Sequence, residues 1–118
     1  MKTVDEVADE LTAALRTIAG YRGYALGDGQ IAAPAWVIGP PQLEFESPCP
    51  EPTQATFLVF VVVALDERAP ERLYRAVAPF VEAIDGVTNA VVRSALPGVY
   101  SAGNQDLPCY SVSVEFGL

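Results

Sequence analysis

Residues 55–65 read ATFLVFVVVAL, apolar throughout except for Thr56. The run is rich in Val and Phe, which favours a strand. It is about half the length a membrane-spanning helix needs. A half-exposed strand needs an apolar residue only at every second position, yet here both faces are apolar. Phe57, Val59, Val61, Val63 and Leu65 share one face; Thr56, Leu58, Phe60, Val62 and Ala64 share the other. Whatever this chain folds into has to cover that second face. Leaving Leu58, Phe60 and Val62 wet would forgo roughly 1.5–3 kcal/mol for each large side chain.

Two helices are predicted to cover the first face. TVDE at residues 3–6 fits a capping box. Behind it Val4, Val7, Ala8, Leu11, Leu15 and Ile18 recur at helical spacing up to Gly20. Asp5, Glu6, Asp9 and Glu10 occupy the first turns, where the helix dipole favours negative charge. The second helix runs through DERAPERLYRAVAPFVEAIDG. Pro70 suits its first turn, Leu73, Val77, Val81 and Ile84 form its inward stripe, and Gly86 suits its stop. Pro79 lies inside it and predicts a kink.

The remaining segments read as strands. YRGYALGDGQIAAP predicts a short strand and a turn, followed by strands at 35–39 and 42–46 around Gly39-Pro40-Pro41. In the 42–46 strand Leu43 and Phe45 face one way and Glu44 and Glu46 the other, the alternation of a half-buried strand. TNAVVRSAL is a strand, PGVYSAGNQDLP a loop, and CYSVSVEFGL a closing strand with Tyr110, Val112, Val114 and Phe116 inward. Helix, three short strands, long strand, helix and two strands predict one α+β domain over residues 1–118. Its sheet is mostly antiparallel, with both helices on one face. The second face of the long strand then has two sources of cover. One is a 35–46 hairpin folded over it; the other is a neighbouring subunit. The expectation is that both contribute.

Composition excludes several functions. Hydrophobic residues make up 51% and charged residues 19%, which argues against disorder. Fifteen acids against seven bases give a net charge of −8, a surface that repels phosphate, so a DNA- or RNA-reading role is disfavoured. The opening MKTVDEVADELTAAL turns acidic after one lysine, unlike a secretory signal, and the chain is expected to be made in the cytosol. Cys49 and Cys109 are then expected to be free thiols. The glycines at 23, 27 and 29 do not form a phosphate cradle.

No histidine is present. Ser-His-Asp and Cys-His pairings are therefore impossible and the commonest general base is missing. Two cysteines alone cannot make a zinc site. Glu44 and Glu46 stand roughly 7 Å apart on one strand face, a spacing that usually marks a wet side. Arg68, Arg72 and Arg75 are spaced along one helix side with Glu71 four residues before Arg75. They read as solvated helix surface or as an intersubunit salt-bridge row. The expectation is a protein that is not an enzyme and carries no cofactor or metal.

VDEVADELTAAL, AAPAWVIGPPQLEFES, TFLVFVVVALDERAPERLYRAVAPFVEAI and VTNAVVRSALPGVYSAGNQDLPCYSVSVEFGL follow one another along nearly the whole chain. Together they resemble the small tail terminator proteins of long-tailed phages that infect actinobacteria. The resemblance implies a virion subunit, assembled in the host cytoplasm, that forms a hexameric ring. Such a ring stops polymerisation of the tail tube, meets the major tail tube protein on one side and the head-side connector on the other, and lets DNA pass without specific binding. It implies no membrane, no cofactor and no catalysis. By position, the subunit interface falls to Leu58, Phe60, Val62, Arg68, Arg72 and Arg75. Loops 47–54 and 98–108, with Pro50, Glu51, Tyr100, Asn104 and Asp106, fall to the tube or connector. A head-closure or tail-completion subunit and a small ligand-binding α+β regulatory domain are the alternatives. The last predicts a closed apolar pocket lined from both helices.

Overall fold

A computed structural model describes residues 3–25, 31–46, 48, 50–103 and 105–118. Cys49, Asn104 and the glycines at 27 and 29 lie outside the described residues. The element order is α1 (Val4–Arg16), β1 (Arg22–Ala25), β2 (Ala35–Ile38), β3 (Gln42–Phe45), β4 (Pro52–Val62), α2 (Ala69–Asp85), β5 (Ala90–Ala102) and β6 (Gln105–Gly117). This is the predicted α+β order, with six strands in one sheet. Only β1 and β2 pair in parallel; the other pairings are antiparallel.

α1 begins as its sequence dictates. Thr3 Oγ1 accepts from the Glu6 amide at 3.2 Å, and Val7, Leu11 and Leu15 are buried. Gly20, at φ +85°, turns the chain back toward β1 in the left-handed region that glycine tolerates. At the start of α2, Asp66 Oδ1 accepts from the Arg68 amide at 2.8 Å. α2 is one helix through Pro79, which stays on its exposed side. The missing proline N–H takes away the donor that would otherwise pair with the Arg75 carbonyl one turn earlier. The buried stripe is Ala69, Leu73, Ala76, Phe80 and Ile84, so Val77 and Val81 lie on its flank instead of its centre.

The predicted 35–46 hairpin does not exist. The strand order is β1-β2-β4-β6-β5, with β3 also on β4. β6 occupies one rim of β4 from Gln54 to Val62. Both β2, opposite Val59–Val62, and β3, opposite Pro52–Thr56, therefore lie along the other rim. They are one antiparallel course interrupted at Pro40-Pro41, after the Gly39 amide donates to the Leu58 carbonyl at 3.3 Å. Prolines have no N–H to give to a ladder, so pairing lapses there without the chain reversing.

The predicted loop at 97–108 is mostly sheet. β5 and β6 form a long hairpin whose turn carries Gly103 at φ +59°, between the paired Ala102 and Gln105. Pro97 is tolerated because β5 is an edge strand.

The main core lies between the helices and one sheet face. Phe57, Val59, Val61, Val112, Val114 and Phe116 are buried there with the α1 and α2 stripes. Phe57 meets Phe116 edge-on at 5.6 Å, and Tyr21 meets Phe80 the same way at 5.1 Å. Trp36 lies over Gly23 so closely that a Cβ there would stand 2.3 Å from the indole. Its Nε1 is buried without a hydrogen-bond partner.

Candidate functional site

The face of the sheet away from the helices is built from alternate residues of every strand. Directly opposite residues in a ladder share a face. Val37 is opposite Phe60, Phe60 opposite Ser111, and Ser111 opposite Leu96. One register step along, Leu58 is opposite Ser113, and Ser113 opposite Ser94. The result is a ridge of serines on β6 with apolar side chains on both flanks, Leu58 and Phe60 on one and Leu96 on the other. The two flanks are roughly 10 Å apart. Farther along, Glu115 holds Arg93 in an ion pair. A register irregularity between Val92 and Ser94 takes Arg93 out of the ladder.

Cover on this face is graded. At one end Ile31, Ala35, Val37, Val62, Tyr100, Leu107 and Cys109 make a second, smaller core, supported by Tyr24, Ala33 and Phe60. The Tyr24 hydroxyl accepts from the Ala32 amide at 3.1 Å and holds the 31–34 segment in place. The free thiol of Cys109 is buried in this cluster, and burial pushes its pKa up. Away from that cluster the face is open. Leu58 is 45% exposed and Leu96 62% exposed.

The sequence-predicted interface residues therefore separate. Leu58 is open. Phe60 is half-buried, tilted on Tyr100 with ring centroids 5.4 Å apart. Val62, at 0% exposure, is closed off within the chain and offers a neighbour no surface. Its cover comes from the 31–34 segment and the end of the β5–β6 hairpin, both beyond the reach of local sequence pattern. Arg68, Arg72 and Arg75 are exposed along the start of α2. Arg72 pairs with Asp66 at 2.5 Å; among the described residues no Glu71–Arg75 ion pair forms.

The tube-contact residues separate as well. Pro50 and Glu51 are exposed. Asp106 is exposed and accepts from the Ser101 hydroxyl at 2.7 Å. Tyr100 is in β5, not a loop, and is buried at 8% exposure. Asn104 lies outside the described residues.

Sequence reasoning missed Leu96 and Val99 in β5 and Tyr74 in α2, all largely exposed. Alternation through TNAVVRSAL could have flagged Leu96 as opposite in direction to Ala95. Only the register of β5 on β6 shows that it joins Leu58 on one face.

Compared with known proteins, the chain matches no family model and no curated protein. Among the described residues there is no group of three or more Cys, Asp or Glu side chains able to hold a metal, and no helix long and apolar enough to cross a membrane. Among the described residues, open grooves indent the surface in at least three places. One is lined by Thr12 and Arg16 of α1 with Tyr21, Tyr24 and Trp36; one by the 31–33 segment with Leu65 and Leu107; one by Arg72, Arg75 and Ala76 of α2 with Tyr21, Pro34 and Val63. None of these three is lined by both helices. The surface thus carries exposed apolar side chains on the sheet face away from the helices and a row of arginines, with Asp66, Glu67 and Glu71 beside them, at the start of α2.

Proposed function

We propose that this chain is a structural subunit of a phage tail. In this reading copies close into a ring at the head-proximal end of the tail tube, end its growth and present a surface to the head-side connector. The observation that carries the reading is the one-sided cover of the sheet. Along β4 the helix-side residues Ala55, Phe57, Val59 and Val61 are all buried, while Leu58, Leu96 and Val91 stay exposed on the sheet's other face. An open apolar surface on a small protein marks a contact with another protein. The resemblance of the sequence to tail terminators supplies the kind of contact, and a hexamer is the ring that resemblance implies. The charge of −8 suits a ring that DNA traverses, since a basic lumen would hold the genome by Coulomb attraction. A ligand-binding domain gains no support from grooves that are open and lined from one helix at most.

The test is co-expression with the major tail tube protein encoded in the same genome. Tubes of limited length, capped at one end by a ring in negative-stain electron microscopy, are the expected outcome. Leu58→Asp and Leu96→Asp keep the circular dichroism of the parent and release tube length from control. Tubes that grow without limit beside the wild-type chain sink the reading.

A further inference from the structure

β1 ends the sheet on the side away from β5 and pairs with β2 alone. In a parallel ladder alternate residues turn their backbone polar groups toward the partner strand. The Arg22 amide donates to the Pro34 carbonyl at 3.3 Å, so Arg22 and Tyr24 are the residues that face β2. The amide and carbonyl of Gly23 therefore point outward. Among the described residues nothing pairs with them, and Gly23 is exposed. Neither a proline nor a bulge guards β1. A bare rim of this kind is a template for another strand.

The groove beside the rim has a consistent chemistry. It encloses about 470 Å³, with Thr12 and Arg16 of α1, Tyr21, Gly23 and Trp36 among its lining residues. Gly23 is opposite Trp36, and Trp36 opposite Val61, so this row lies on the helix side of the sheet. Thr12 and Arg16, four residues apart, share one side of α1. The Arg16 guanidinium is exposed and has no ion pair or hydrogen bond among the described residues. None of the lining residues is acidic, and the stretches that supply them, 11–25 and 31–38, include no Asp or Glu. Trp36 leans over Gly23, and its Nε1 is a buried donor without an acceptor. On a chain of charge −8, this groove holds a free cation and no carboxylate.

We propose that this rim receives an extended acidic segment of a partner protein. The segment adds a strand beside β1, and its backbone takes up the free amide and carbonyl of Gly23. Its residue opposite Gly23 turns to the helix side, where the absent glycine side chain leaves room. A Glu or Asp at that position meets Arg16 in a charge-assisted contact. The groove is open along the surface and does not enclose a small molecule, which favours a passing chain as its occupant. The inference goes beyond the tail reading and does not rest on it, because the rim belongs to β1 and not to the open sheet face.

NMR titration of the isotope-labelled full chain tests it. The probes are capped pentapeptides with Glu or Asp at the centre and Val, Thr or Ile around it. At least one moves the Gly23 amide and Trp36 indole signals saturably below about 1 mM, and added salt weakens the effect. Exchanging the central acid of that peptide for its amide weakens binding about tenfold or more, as loss of a hydrogen bond to a charged group does. Methylating its backbone nitrogens keeps the carboxylate, removes the ladder donors and abolishes binding. Arg16→Glu, an exposed change that breaks no internal ion pair, also abolishes it, with circular dichroism unchanged. Benzoate at the same concentration moves neither signal. Each of five results overturns the proposal: no peptide of the set moves the two signals, the amide form binds as well as the acid, the methylated peptide binds as before, Arg16→Glu binds like the parent, or benzoate matches the peptide. The last would assign the groove to a small acid.

Discussion

The two faces of β4 are made from one run of similar residues and have different fates. Toward the helices Ala55, Phe57, Val59 and Val61 are all buried. On the other side burial falls stepwise from Val62 through Phe60 to Leu58. The first face is covered by two amphipathic helices, each burying a continuous apolar stripe. The second is covered by whatever reaches it, the 31–34 segment and the Tyr100–Leu107 end of the hairpin, and that cover runs out after Phe60. Hydrophobicity in a strand thus states that a face is to be covered. It does not state by what.

The comparison can be broken at its strong end first. Phe57→Ala removes a ring locked edge-on against Phe116, and urea denaturation should show a loss of about 3–5 kcal/mol. A loss under about 1 kcal/mol would mean the helix face is not the main core.

A second pair of substitutions sharpens the gradient on the far face. Val62→Ala deletes two buried methyl groups and should cost roughly 1.5–2.5 kcal/mol. Leu58→Ala, four residues earlier on the same face, should stay within about 0.5 kcal/mol in the monomer. Equal costs at the two positions would erase the distinction between the closed and open ends.

The smallest effect concerns pH. Burial raises the Cys109 thiol above its ordinary 9.0, so the folded chain holds this proton where the unfolded chain releases it. Stability from this source is complete below pH 9.0 and declines as pH climbs through the raised value. Replacing Cys109 with Ala should flatten that alkaline decline in urea midpoints measured across the range. An unchanged slope would place the responsible group elsewhere, the Tyr21 phenol being another whose pKa burial raises.

What could be read from sequence follows the same division between local and distant causes. α1 was legible because its cap and stripe lie within thirteen residues of each other. The order of elements was legible because Val-rich runs and helical spacing differ sharply. Phe80 was missed because spacings of three and four leave the phase of α2 open: a stripe through 73, 77, 81 and 84 satisfies the rule as well as one through 69, 73, 76, 80 and 84. Gly39-Pro40-Pro41 looked like a reversal, yet only the shared rim of β4 shows that the chain runs straight past it. Pro97 and Pro108 made a loop of residues that form a hairpin, although the Gly103-Asn104 pair was a turn signal in plain view. At the site, Leu58 and the arginines at 68, 72 and 75, expected at a subunit interface, are exposed within the single chain. Val62 and Tyr100, expected at contacts with other proteins, are instead buried by contacts distant in sequence.

Trp36 is the chain's sole tryptophan, and it sits with its ring over Gly23 on the helix side of the sheet. Intrinsic fluorescence of this protein is consequently a lamp placed in one corner. Melting of that corner will change its colour, whereas a partner that lands on the serine ridge leaves the emission dark to the event, and such binding has to be followed with a dye or by mass.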